Sequence, residues 1–126
     1  MNEVNTFCWA ELQTRGADKA VEFYQSVFGW DLEVDDKPPF YVMGKVKGKL
    51  NCGIFDMDKI QMPAEIPSRW AVYFNVENLD NSMAMVKDLG GTVMMKPIVI
   101  DPGRFTTILD PQGATVTLIE LSEVDD

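Results

Sequence analysis

Slid against itself by 62 residues, the chain lays one helix signature on another: Asp18 falls on Asp80, Val21 on Met83, Tyr24 on Val86, Val27 on Leu89 and Gly29 on Gly91. Each copy reads as a cap, an apolar stripe at helical spacing and a glycine where the helix would stop. The flanking strand patterns recur as well. Phe7 to Gln13 alternates, with Cys8, Ala10 and Leu12 on one face and Phe7, Trp9, Glu11 and Gln13 on the other. Arg69 to Val76 holds the same place before the second helix. Three extended segments follow the first helix: Trp30 to Asp35, Phe40 to Val46 and Asn51 to Asp56, punctuated by Lys37-Pro38-Pro39 and Lys47-Gly48-Lys49. Thr92 to Ile100, Arg104 to Leu109 and Ala114 to Leu121 follow the second, the last two joined by an Asp110-Pro111-Gln112-Gly113 turn. The expected order is strand, helix, strand, strand, strand, stated twice: module one at about 6–57, a linker at about 58–68 and module two at about 69–121, with a frayed acidic tail. Each module leaves a sheet face that needs cover, so pairing the two answers the burial problem of both.

Composition narrows the chemistry. At 126 residues with 46% hydrophobic side chains, the chain builds a core without a disulfide staple. A net charge of −9 argues against nucleic acid and anionic membrane surfaces as partners. No apolar run reaches the ~18 residues of a membrane span, and Met1 to Asn5 lacks the look of a signal peptide, so the expected location is cytoplasmic. Cys8 and Cys52 are then expected as free thiols. There is no histidine at all. That removes Ser-His-Asp, Cys-His and His-based metal chemistry in their ordinary forms.

Ala20-Val21-Glu22-Phe23-Tyr24 with Phe28-Gly29-Trp30, then Leu89-Gly90-Gly91, Gly103-Arg104-Phe105 and Leu109-Asp110-Pro111-Gln112-Gly113-Ala114, span nearly the whole chain. In this order and spacing they resemble the vicinal oxygen chelate superfamily, the fold of glyoxalases, extradiol dioxygenases and bleomycin resistance proteins. The resemblance implies an α+β fold: two βαβββ modules forming a curled, cup-like mixed sheet with helices outside. It also implies a small-molecule site that many members equip with a divalent metal. Carried over residue by residue, the metal stations fall on Trp9, Phe55, Ala71 and Thr117, none of which suits an oxygen and nitrogen metal site. Glu120 lies three residues past its station, and an odd step on a strand turns it to the other face. No metal and no cofactor are expected.

On this parity the cup is lined by Phe7, Trp9, Glu11, Gln13, Ala71, Tyr73 and Asn75, joined by Phe55 and Thr117, while Trp70, Val72 and Phe74 pack under the helices. Trp9 either stacks on a flat ligand or fills the space of the absent metal. Glu11 is the one acid/base candidate if its carboxyl is poorly solvated among Trp9 and Tyr73; the bland alternative is a wet rim position or a pair with Arg69 or Arg104. Gln13, Tyr73 and Asn75 are candidate hydrogen-bonding groups, and Arg104 either meets a ligand carboxylate or sits on the surface. The leading expectation is a metal-independent protein that binds a small organic molecule. The alternatives are a glyoxalase-type lyase, isomerase or dioxygenase with Glu11 as base and an unrecognised metal site, and a non-catalytic dimerisation or interaction module that forms a homodimer or joins a larger assembly.

Overall fold

The computed structural model describes residues 3–35, 41–60 and 62–122. The fold is α+β, in the order β1 (Phe7–Thr14), α1 (Ala17–Phe28), β2 (Asp31–Asp35), β3 (Tyr41–Val46), β4 (Lys49–Asp56), β5 (Arg69–Asn75), α2 (Leu79–Asp88), β6 (Thr92–Val93), β7 (Ile98–Ile100), β8 (Gly103–Leu109) and β9 (Thr115–Leu121). Phe40, Lys37-Pro38-Pro39 and the acidic tail lie outside the described residues.

The chain divides into two compact units, one made of residues 10–70 and the other of residues up to 9 together with those from 71 on. In the first unit the strands pair in the order β2-β3-β4-β1, with β1 parallel to β4. In the second the order is β6-β8-β9-β5, with β5 parallel to β9 and β7 added on β8. These are the same order twice. The recurrence at 62 residues is therefore a repeat of topology as well as of helix pattern.

Within the first unit, α1 sets Ala20, Val21 and Tyr24 against a buried cluster of Leu12, Ala17, Val42 and Ile54. Within the second, Met83 and Val86 of α2 pack on Leu79, Ile108 and Leu118. In both cases the helix covers one face of its sheet, as strand alternation requires.

Three local expectations are corrected. Asp18 does not cap α1: the cap is Gly16, at φ 64°, a left-handed conformation that glycine adopts without Cβ strain. Asp18 and its repeat partner Asp80 both lie in the first helical turn, where an anion meets the positive end of the helix dipole. Thr92 to Ile100 is two short strands, because Pro97 has no N–H to give to the ladder. Before the break Met94 N–H donates to Thr107, and the buried Thr106 hydroxyl donates to the Met95 carbonyl at 2.7 Å.

The third correction concerns β5. Trp70, Val72 and Phe74 are 41%, 41% and 37% exposed, so that face is not covered by a helix. The packing of α2 explains this in the second unit, since its cluster draws on β6, β8 and β9 and takes nothing from β5. Trp70 instead donates its indole N–H to the Tyr24 hydroxyl at 3.1 Å. Among the described residues no helix is long and apolar enough to cross a membrane.

Candidate functional site

Alternation that sends Leu12, Val42 and Ile54 toward α1 sends Glu11, Gln13, Tyr41, Gly53 and Phe55 to the other face of the first unit's sheet. Registers bring them together: Glu11 is opposite Gly53, Gln13 is opposite Phe55, and Tyr41 is opposite Phe55 from the other side. Glu11 is 3% exposed and Gln13 fully buried. The Tyr41 hydroxyl donates to Glu11 Oε2 at 2.9 Å, and Gln13 Nε2 donates to Glu11 Oε1 at 3.3 Å. Both oxygens of the buried carboxyl group therefore accept a hydrogen bond, which fixes its rotamer. Glu11 is therefore not at a wet rim.

Tyr41 is absent from the set that sequence reasoning assembled. A cleft of about 260 Å³ in the same unit opens on the helix side, between Ala17, Val21, Val42 and Ile54 with Asp18 and Lys59 at its margin. Of the residues on the Glu11 face, Tyr41 alone also lines it.

In the second unit the equivalent face carries Ala71, Tyr73 and Asn75 on β5, Thr117 and Ile119 on β9, and Phe105 and Thr107 on β8, all buried. Tyr73 is opposite Thr117, and its ring centroid lies 5.7 Å from that of Phe105. Asn75 is committed to the chain's own start: its side-chain oxygen accepts from Thr6 N–H at 3.3 Å. Trp9 is half-buried, whereas Phe7, expected as a lining residue, is 57% exposed.

Arg104 belongs to a different group. Its guanidinium bonds Glu120 and Asp80, with Nη2 3.3 Å from Glu120 Oε1 and 3.1 Å from Asp80 Oδ2. Glu120 also accepts the Leu79 N–H at 2.8 Å, so it serves as an outside cap for α2, beside the Asn78 side chain that accepts from Asn81 N–H. This places Glu120 on the helix side, as the odd strand step predicts. The Arg104 hydrogen bond, followed by that from Leu79, holds the Glu120 carboxyl below the usual carboxylate range.

A lowered folded-state value means stability that is present above the unfolded value, about 4.3, and lost as pH falls through the folded one. Melting temperatures of the wild type and Glu120→Gln, followed downward from pH 6, are expected to converge below about pH 4.5. A gap unchanged to pH 3 would contradict this role.

The metal stations do not suit a divalent ion. They present the Trp9 indole, the Phe55 ring, the Ala71 methyl and the single Thr117 hydroxyl. Among the described residues no group of three His, Cys, Asp or Glu side chains is placed to hold one. Cys8 and Cys52 are free thiols, and burial pushes both up from the ordinary thiol value.

A family model described as Glyoxalase/Bleomycin resistance protein/Dioxygenase superfamily matches residues 6–118. CFP32 of Mycobacterium tuberculosis, provisionally named a glyoxylase, is 31% identical over 123 residues, covering 95% of this chain and 46% of that protein. The anthracycline biosynthesis protein DnrV of Streptomyces peucetius is 30% identical over 115 residues, 91% of this chain and 41% of that protein. The chain thus spans about half the length of these curated relatives. Among solved structures, methylmalonyl-CoA epimerase (S115T) of Streptomyces coelicolor in complex with 2-nitronate-propionyl-CoA superposes with a TM-score of 0.58 at 16% identity, covering 98% of this chain and 99% of that one. That likeness is one of fold alone.

Proposed function

The chain belongs to the glyoxalase/bleomycin resistance protein/dioxygenase superfamily, and from that membership we propose that it binds a small organic molecule, without a metal, at the sheet face that carries Glu11. The observation that carries this reading is the buried Glu11 carboxylate, held by Tyr41 and Gln13 beside a Phe55 ring where a metal-using relative would place a ligand. Apolar walls with a few fixed polar groups are the general character of small-molecule sites. Trp9, Tyr73, Asn75 and Thr117 are the candidate contacts that the second unit offers by itself. Two free thiols agree with a reducing, cytoplasmic setting.

Native mass spectrometry with elemental analysis of the purified protein tests the proposal. The expected result is an organic adduct that survives dialysis against a chelator, with no stoichiometric divalent ion. One tightly held divalent ion per chain, whose removal also strips the adduct, overturns it.

An enzymatic reading, with Glu11 as base in a lyase, isomerase or dioxygenase reaction, is favoured by one observation: a carboxylate fixed by two donors is positioned as proton transfer requires. Turnover of an identified substrate that falls ~100-fold or more in Glu11→Gln would support it, and unchanged turnover would remove Glu11 from that role.

A further inference from the structure

The two units differ where their helices begin. Ala17 and Leu79 are the first residues of α1 and α2, and both are buried. In the second unit Leu79 joins Ile108 and Leu118 in the cluster under α2, with Met83, one turn on, packed against it. In the first unit the same places carry Ala17 and Val21, each a smaller side chain. The cleft of about 260 Å³ between Ala17, Val21, Val42 and Ile54 opens there. One repeat fills with its own leucine a space that the other leaves open.

The charged rim of the cleft follows the same comparison. Leu12 is opposite Ile54 and its repeat partner Phe74 is opposite Leu118, so Asp56, two residues after Ile54, corresponds to Glu120, two after Leu118. Asp18 corresponds to Asp80. In the second unit Asp80 and Glu120 together hold the Arg104 guanidinium. Phe105 is opposite Ile119 as Tyr41 is opposite Phe55, so the sequence counterpart of Arg104 is Phe40, a residue without charge. Asp18 and Asp56 both line the cleft, and Lys59 stands with them, which makes two carboxylates against one ammonium. The capping that Glu120 gives the Leu79 N–H falls in the first unit to Asp58, which accepts the Gly16 N–H at 3.0 Å. Asp56 Oδ1 accepts the Asp58 N–H at 2.9 Å.

We propose that this cleft is a second binding site, for a small organic cation whose apolar stem takes the space that Leu79 fills in the other repeat and whose guanidinium or ammonium head meets Asp18 and Asp56, as Arg104 meets Asp80 and Glu120. It lies on the helix side of the sheet and does not draw on the reading of the Glu11 face. An apolar cavity of ~150 Å³ already admits a benzene-sized body, so the cleft has room for one ring and a short linker. A guanidinium offers forked N–H donors that suit carboxylates, whereas an anion of the same size meets like charge at the rim.

Methyl NMR of Val21, Val42 and Ile54 in the full chain, titrated with phenethylguanidinium, the neutral phenethylurea and the anion hydrocinnamate, tests the site. The guanidinium is expected to move these methyls and to bind about tenfold more tightly than the urea, with hydrocinnamate weakest. Ala17→Leu should abolish the binding and hold the melting temperature at or above that of the wild type, because it installs the residue that the other repeat uses. Asp18→Asn and Asp56→Asn should each weaken the guanidinium roughly threefold and leave the urea unchanged. Methyls that stay still at millimolar guanidinium, or binding that persists in folded Ala17→Leu, overturn the site. Equal affinity for the guanidinium and the urea overturns the choice of a cation. Should Ala17→Leu fail to fold, Asp18→Asn, an exposed change in the first helical turn, decides the matter: guanidinium affinity that it leaves unchanged overturns the proposal.

Discussion

Gly103→Ala is expected to destabilise the protein by about 3 kcal/mol or more, at the upper end of what overpacking costs. Thermal denaturation should register this as a fall in melting temperature of roughly 10 °C for a chain of this length. The cause is contact. A Cβ at position 103 would lie 2.0 Å from the Glu120 carbonyl oxygen and 2.9 Å from Leu121 Cα, which are backbone atoms with no side-chain torsion to yield. Gly103 is opposite Leu121 on β9 and Ile100 on β7, so relief by displacement separates β8 from both partners. The same movement carries off Glu120, and with it the cap on the Leu79 N–H and the pair with Arg104. Gly113→Ala is the control. Its φ of 90° is unfavourable for alanine, but a Cβ there meets nothing within 4 Å, so the expected loss is about 1 kcal/mol. Equal losses at the two positions would show that backbone conformation, and not the close approach of strands, is what position 103 requires.

The repeat was legible because its carriers are local. At an offset of 62 residues even the true caps correspond, Gly16 with Asn78, although the eye is drawn to Asp18 and Asp80 two residues further on. An acidic residue at a helix start suits both the cap and the first turn, and pattern alone does not separate them. The face of β1 that carries Glu11 and Gln13 was legible for the same reason, since alternation is a property of one strand. Tyr41 was not, because its meaning depends on a register between strands.

Lys47 and Gly48, at φ 52° and 77°, make a two-residue turn, and counting back from it pairs Val46 with Lys49 and Lys45 with Leu50. Continued, that count would set Tyr41 opposite Ile54. A β-bulge at Gly44/Lys45 shifts the pairing so that Gly44 meets Cys52, leaving Asn51 as the extra residue, and Tyr41 then meets Phe55. One inserted residue changes the neighbours of every side chain beyond it. The exposed face of β5 was hidden for a related reason: whether a helix lies over Val72 and Phe74 is decided by where α2 packs, and its stripe fits β8 and β9.

The bulge sets up the sharpest contrast in the molecule, between two neighbours on β4. Ile54 and Phe55 are 0% and 2% exposed, on opposite faces of the same strand. Ile54 belongs to the cluster under α1 with Leu12, Ala17 and Val42, and Ile54→Ala is expected to cost about 2–5 kcal/mol through the cavity it leaves. Phe55→Ala removes a larger buried side chain, and the expected loss is about 3–5 kcal/mol. Against a total stability of about 5–15 kcal/mol, either change is large enough to follow by urea unfolding at low temperature. Similar losses then allow the two faces to be told apart by function. In protein that is still folded, Ile54→Ala should keep the organic ligand proposed above for the Glu11 face, because its cavity opens toward the helix, while Phe55→Ala should lose that ligand along with the ring beside Gln13 and Tyr41. Loss from both variants in proportion to their instability would reduce Phe55 to a packing residue, and retention by both would move the binding face away from β4.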